Sequence, residues 1–173
     1  TVKGDLKDVG QGHVDAIARL LDGPSGKTID LPAGVRVSLT YEEAIITSAD
    51  VDVCPLPPLG GPRSLNVPGE TVVEGWRGTA DTVDLDKAPR FDREPDASAH
   101  SALLNSASLG VPLCVRPWQP GDRFQPLGMS GTKKLQDFFV DARVPREWRD
   151  RVPLLVSPRG IAWVVGWRIA EWA

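Results

Sequence analysis

The chain is short of the residues that build metal centres and disulfide frameworks. It holds two cysteines and two histidines in 173 residues. Cys54 and Cys114 are far apart and form no CxxC pair, so two buried, reduced thiols are the expected state rather than a bridge. His13 and His100 have no ligand-spaced companions, which argues against zinc; His13 reads as part of a helix start and His100 as loop. No apolar run approaches about 18 residues, so no helical membrane span is expected. No nucleophile elbow, no Ser/His/Asp order and no signal-peptide pattern occurs, and no residue is nominated as catalytic or metal-binding. Asp137 and Asp141 stand four apart on one helix face, but a solvated face is the better account of them than a hydrolytic pair. Ser25-Gly26-Lys27-Thr28 lacks the earlier glycine of a phosphate loop, since Leu21 stands there, and reads as a turn.

What is present is unevenly distributed. Residues 1–100 carry 10 Lys and Arg against 17 Asp and Glu, whereas residues 101–173 carry 10 against 6. The second part therefore offers a basic surface to an acidic polymer despite a net charge of −3. Hydrophobic content of 41% with 25% charged residues suits an ordinary globular domain.

Along the chain, Val14, Ile17, Ala18 and Leu21 have helical spacing and end at Asp22-Gly23-Pro24. Ile29–Leu31 and Val35–Leu39 read as strands around Pro32-Ala33-Gly34, and Tyr41–Ile46 as a strand or short helix. Residues 54–63, with four prolines and two glycines, form a linker. Leu65–Val67 and Thr71–Trp76 then read as strands separated by Pro68-Gly69. Residues 86–100 read as a long loop. Leu135, Phe138, Phe139 and Ala142 place one apolar stripe on a helix with Thr132 as N-cap. Pro145 opens a second short helix over PREWRDR, and Leu154–Val156 with Ile161–Val165 close as a hairpin. Strands, two helices and strands give an α+β module. The expected organisation is a first segment 1–53, the linker 54–63 and a C-terminal domain 64–173.

The stretch 116–151 holds Arg116, Arg123, Lys133, Lys134, Arg143, Arg146, Arg149 and Arg151 among five acids. On this reading Lys133 and Lys134 fall in the first helical turn, where the macrodipole disfavours cations. Two readings stand. An external phosphate is held by the lysines and the free N–H groups, aided by Gly128 and Gly131. Alternatively the lysines turn to solvent and Lys133 reaches Asp137. Asp122 holds a turn or pairs with Arg123. Trp118 and Trp148 lie among the cations, and packing is the better reading of them than base stacking. A basic patch without a base-reading motif suits structured RNA, met through backbone and shape.

The motifs R-P-W-x-P-G-D-R-F-x-P-L-G-M-x-G-x-K-K-L-Q-D-F-F-x-D, V-P-R-x-x-R-D and W-V-x-G-W-R-I-A, from about 111 to 170, resemble the C-terminal domain of bacterial tRNA(Ile)-lysidine synthetases. Residues 13–46, with D-L-P-x-G-V-x-V, are similar to the tail of that family's helical middle, substrate-binding domain; residues 47–110 match only loosely. The resemblance implies a C-terminal fold similar to a domain of the phenylalanyl-tRNA synthetase β chain. It implies a parent ligase that uses ATP and magnesium to join lysine to C2 of the wobble cytidine of a minor isoleucine tRNA, which then reads AUA. The family's S-G-G-x-D-S loop is missing here. This chain is therefore expected to be inactive alone, with no cofactor of its own, in a cytoplasmic protein. The implied partner is the acceptor-stem region of tRNA(Ile), docked by Arg116, Arg123, Lys133, Lys134, Arg143, Arg146 and Arg149. A protein-interaction or homodimer-stabilising module with a basic face is the alternative.

Overall fold

The computed structural model describes residues 8–23, 25–41, 43–84, 86–87 and 100–173. They form two compact units, residues 1–55 with 145–147 and residues 56–144 with 148–173. Both mix strands with few helices.

In the first unit, α1 (Gln11–Leu21) begins at Gly10, whose N–H donates to His13 Nδ1 over 3.1 Å, and ends at Asp22. The helical period was legible, but its phase was not. Val14 and Leu21 are half exposed, and the inward face runs through His13, Ala16, Ile17 and Leu20 instead. The sheet is an antiparallel meander of β1 (Lys27–Leu31), β2 (Val35–Leu39) and β3 (Ala44–Ser48), with Val35 and Val37 buried on the central strand. Ala33 and Gly34 both take positive φ, 60° and 68°, and make the tight connection between β1 and β2. Of the turn expected over residues 25–28, Ser25 and Gly26 form a bend while Lys27 and Thr28 already belong to β1, and the Gly26 N–H donates to the Leu39 carbonyl over 2.7 Å.

The second unit is built on a five-stranded antiparallel sheet. Its strands are β4 (Arg63–Ser64), β7 (Cys114–Arg116), β10 (Leu154–Ser157), β11 (Gly160–Val164) and β12 (Arg168–Ile169), in the order β12-β11-β10-β7-β4. Between β4 and β7 come the hairpin β5 (Gly69–Val73) and β6 (Trp76–Ala80) and the single turn α2 (Ser106–Leu109). A two-stranded ribbon, β8 (Arg123–Phe124) with β9 (Lys133–Lys134), leads into α3 (Leu135–Asp141), and a 3-10 turn over Arg146–Arg151 returns the chain to β10.

Strand alternation sends neighbouring residues to opposite faces. Leu154, Ile161 and Val164 join Phe124, Leu135, Phe139, Val144 and Val152 in the larger cluster, while Leu155 and Ala162 join Leu109 and Leu113 in the smaller. Helix α3 covers the first face, and both Leu135 and Phe139 are wholly buried. The apolar stripe is thus confirmed.

Three expectations are corrected. The turn of the early hairpin lies at Glu74-Gly75, not Pro68-Gly69, because those two residues take φ of 41° and 94° and leave Val73 paired with Trp76. That primed geometry matches the twist of the flanking strands. Leu65–Val67 is outside any strand. Cys54 and Cys114 are unbridged but only partly buried. Most of the long loop expected at 86–100 lies outside the described residues.

Phe139→Ala should cost about 3–5 kcal/mol, as truncation of a fully buried aromatic does. Urea unfolding of the chain measures it, and a loss under about 1 kcal/mol would remove α3 from the core.

Candidate nucleic-acid interface

The basic stretch is organised by an ion pair within the domain. On β7, Arg116 donates from Nη1 to Asp122 Oδ2 over 2.7 Å and from Nη2 to Asp122 Oδ1 over 2.8 Å. Nη1 also donates to the Pro117 carbonyl over 2.9 Å. Both side chains are mostly buried, at 13% and 14% exposure. Asp122 additionally accepts the Gln119 N–H over 2.8 Å, and its carbonyl accepts the Leu135 N–H over 2.8 Å. One aspartate thus ties a sheet strand, a turn and the first residue of α3 together. The turn role was expected of Asp122; the partner is Arg116 rather than Arg123. Lysine could not replace Arg116, because only a planar fork makes both bonds at once.

Burial pushes the Asp122 carboxyl up, but the Arg116 hydrogen bonds, the Gln119 N–H and the guanidinium charge outweigh it and hold the group below its ordinary value. The hydrogen bonds to Asp122 raise the Arg116 guanidinium in turn, against the effect of burial.

The two lysines are not in a helical turn. Lys133 and Lys134 are extended, and Lys134 is itself the N-cap of α3, with φ −63° and ψ 135°. Thr132 therefore caps nothing; the Leu135 N–H that would have needed a partner already has the Asp122 carbonyl. The conflict with the helix dipole disappears and another takes its place. In the ribbon, Arg123 stands directly opposite Lys134, and Phe124 opposite Lys133. Directly opposite residues share a face, and like charges so placed repel. Arg123 and Lys134 are both exposed, and among the described residues neither forms an ion pair. Arg123 donates from Nη2 to the Thr132 carbonyl over 3.3 Å.

The remaining candidates separate by what they touch. Lys133 pairs with Asp141, not Asp137, and is three-quarters covered. Arg149 donates from Nε to the Val144 carbonyl over 3.1 Å and is partly buried. Arg146 is exposed and groups with the first unit. Arg143 is exposed just beyond α3, in the left-handed region at φ 52°, where its charge complements a helix C-terminus. Trp118 donates its indole N–H to Asp150 over 2.7 Å and meets Phe139 edge-on, and Trp148 packs on the same core. Packing is thus the observed role of both.

One cation was not selected from the sequence. Arg168, on the edge strand β12, lines an open groove with Met129, Lys133, Phe138, Asp141 and Trp167. Periodicity could not reveal it, since the fold alone brings β12 to α3; its place in the W-V-x-G-W-R-I-A motif was the available signal. Among the described residues no three His, Cys, Asp or Glu side chains gather to hold a metal, and no helix is long and apolar enough to cross a membrane.

The comparisons with known proteins identify the family. Residues 113–173 match the family model described as TilS substrate C-terminal domain. A solved structure titled "Crystal structure of TILS C-terminal domain" superposes with a TM-score of 0.51 at 30% identity, over 64% of this chain and 84% of that one. The chain belongs to the tRNA(Ile)-lysidine synthase family. The tRNA(Ile)-lysidine synthase of Dehalococcoides mccartyi is 39% identical over 169 residues, spanning 97% of this chain and 35% of that protein. Those of Caldanaerobacter subterraneus and Geobacter sulfurreducens are 33% and 36% identical, over 98% of this chain and 35% and 34% of theirs. The chain spans about a third of the length of the curated relatives it matches.

Asp122→Asn keeps the shape and weakens the pair, and should destabilise the chain by about 2–4 kcal/mol at pH 7, a little under the cost of breaking a fully buried pair. The folded carboxyl lies below its unfolded value near 3.9, so its contribution is full above that value and is lost as pH falls through the folded one. Unfolding measured from pH 7 downward should therefore show the gap between parent and variant closing below about pH 4.

Proposed function

We propose that this chain is the tRNA-docking part of a lysidine-forming ligase. The observation that carries the proposal is the exposed, un-neutralised pair Arg123 and Lys134, directly opposite one another on the β8–β9 ribbon. A polyanion removes the repulsion that this placement creates, and arginine's fork suits phosphate. Arg143 adds a third exposed cation beyond α3. Arg116 and Arg149 act on this reading as supports, Lys133 is shared with Asp141, and Arg146 groups with the first unit. The surface meets RNA through its backbone, in the acceptor-stem region of tRNA(Ile).

The chemistry lies elsewhere in the parent protein on this proposal. ATP, magnesium and lysine are used in a part outside this chain to join lysine to C2 of the wobble cytidine, in the cytoplasm. Residues 1–53 are the tail of the helical middle domain, and the C-terminal module shares its fold with the phenylalanyl-tRNA synthetase β-chain domain. No step of the ligation is routed through the residues described here.

Binding of the chain to isoleucine tRNA, measured across salt concentrations, tests the proposal. Arg123→Ala/Lys134→Ala should flatten the log–log slope by roughly 1.4–1.8 units, at about 0.7–0.9 per phosphate. Arg77→Ala, whose parent side chain faces Glu70 on the other hairpin, should leave the slope alone. An unchanged slope in the double variant, or no binding by the parent chain, would contradict the proposal and leave a protein-interaction module in its place.

A further inference from the structure

The groove beside α3 has a volume of about 330 Å³, within the range of about 300–1,000 Å³ that small-molecule pockets occupy. Its composition is unusual for a surface that meets only a regular duplex. Phe138 and Trp167 supply aromatic walls, Arg168 an exposed cation and Asp141 an acceptor at the rim. Arg168 forms no ion pair among the described residues, whereas the Lys133 charge is balanced by Asp141. The site therefore offers one free positive charge beside an aromatic surface.

The loop bordering the groove is held in place by its own hydrogen bonds. Glu171 accepts the Gly128 N–H over 2.6 Å, Gln125 donates to the Met129 carbonyl over 2.7 Å, and the Leu127 N–H donates to the Ile169 carbonyl over 2.9 Å. Yet the loop exposes Leu127 and Met129 at 45% and 44%. Apolar tips fixed beside one free cation suit the flat end of a base-paired stem, where a base face is uncovered, better than its charged sides.

We propose that the groove takes one unpaired nucleotide at the end of the docked RNA stem, with its base against Trp167 and its phosphate on Arg168. The inference rests on the docking reading above. In a duplex the bases are stacked inside, so aromatic walls and an acceptor within one concave site are useful only to a base that has left the stack. Asp141 can accept a hydrogen bond from an exocyclic amine, which favours adenine, cytosine or guanine over uracil.

The test compares a short RNA hairpin with a flush end against the same hairpin with an unpaired 3′ extension, both titrated with the 173-residue chain. The extension should tighten binding roughly tenfold, the order expected for one stacked base, and should quench tryptophan fluorescence. Arg168→Ala, a surface change, should shrink that ratio to under about threefold. Trp167→Ala should abolish it where the variant folds. Equal affinity for the two hairpins overturns the inference and leaves the docking proposal intact. Failure of both hairpins to bind removes the docking proposal, and the inference with it.

Discussion

The structure of the basic module depends on the two-bond pairing of Arg116 with Asp122. It is the point at which the five-stranded sheet, the turn after it and the start of α3 are tied to one side chain. Lone buried charges are costly, and a buried pair contributes only where its remaining hydrogen-bonding capacity is also filled. Here the Pro117 carbonyl and the Gln119 N–H each add a bond to the pair, and among the described residues no buried side-chain polar atom is left without a partner. The positions of Arg123 on β8 and Lys134 before α3 follow from it, because the same turn aims the ribbon.

That arrangement changes the meaning of the cations. A count of positive residues in 116–151 treats them as equal, but the fold divides them. Arg116, Lys133 and Arg149 are engaged within the module, while Arg123, Lys134 and Arg143 remain exposed. A charge that already has a partner contributes little to an external anion. The proposed docking surface is narrower than the basic stretch, and it is defined by what the internal acids and carbonyls leave free.

How much of this was legible depends on the range of the interaction. The α3 stripe, the closing hairpin and the β1–β2 turn are local patterns, and they read correctly because spacing and turn residues determine them. The start of α3 was misplaced because its N-terminal N–H is met by the Asp122 backbone, a contact no local capping rule contains. In α1 the period was right but the phase was not: Ile17 faces inward as expected, whereas Val14, Ala18 and Leu21 are exposed and Leu20 is the buried residue, because Leu20 is as apolar as Leu21 and only packing decides between phases. The Glu74-Gly75 turn was passed over in favour of the more familiar Pro-Gly. Arg168 reached the groove through sheet order alone.

Hydrogen–deuterium exchange of the chain, with and without isoleucine tRNA, tests the central claim most directly. The account predicts that added protection falls on residues 123–143 and on the turn into β12. The β5–β6 hairpin and the β1–β3 sheet should exchange as before. Protection confined to the first unit, or none at concentrations where the tRNA is bound, would contradict it and move recognition away from the ribbon.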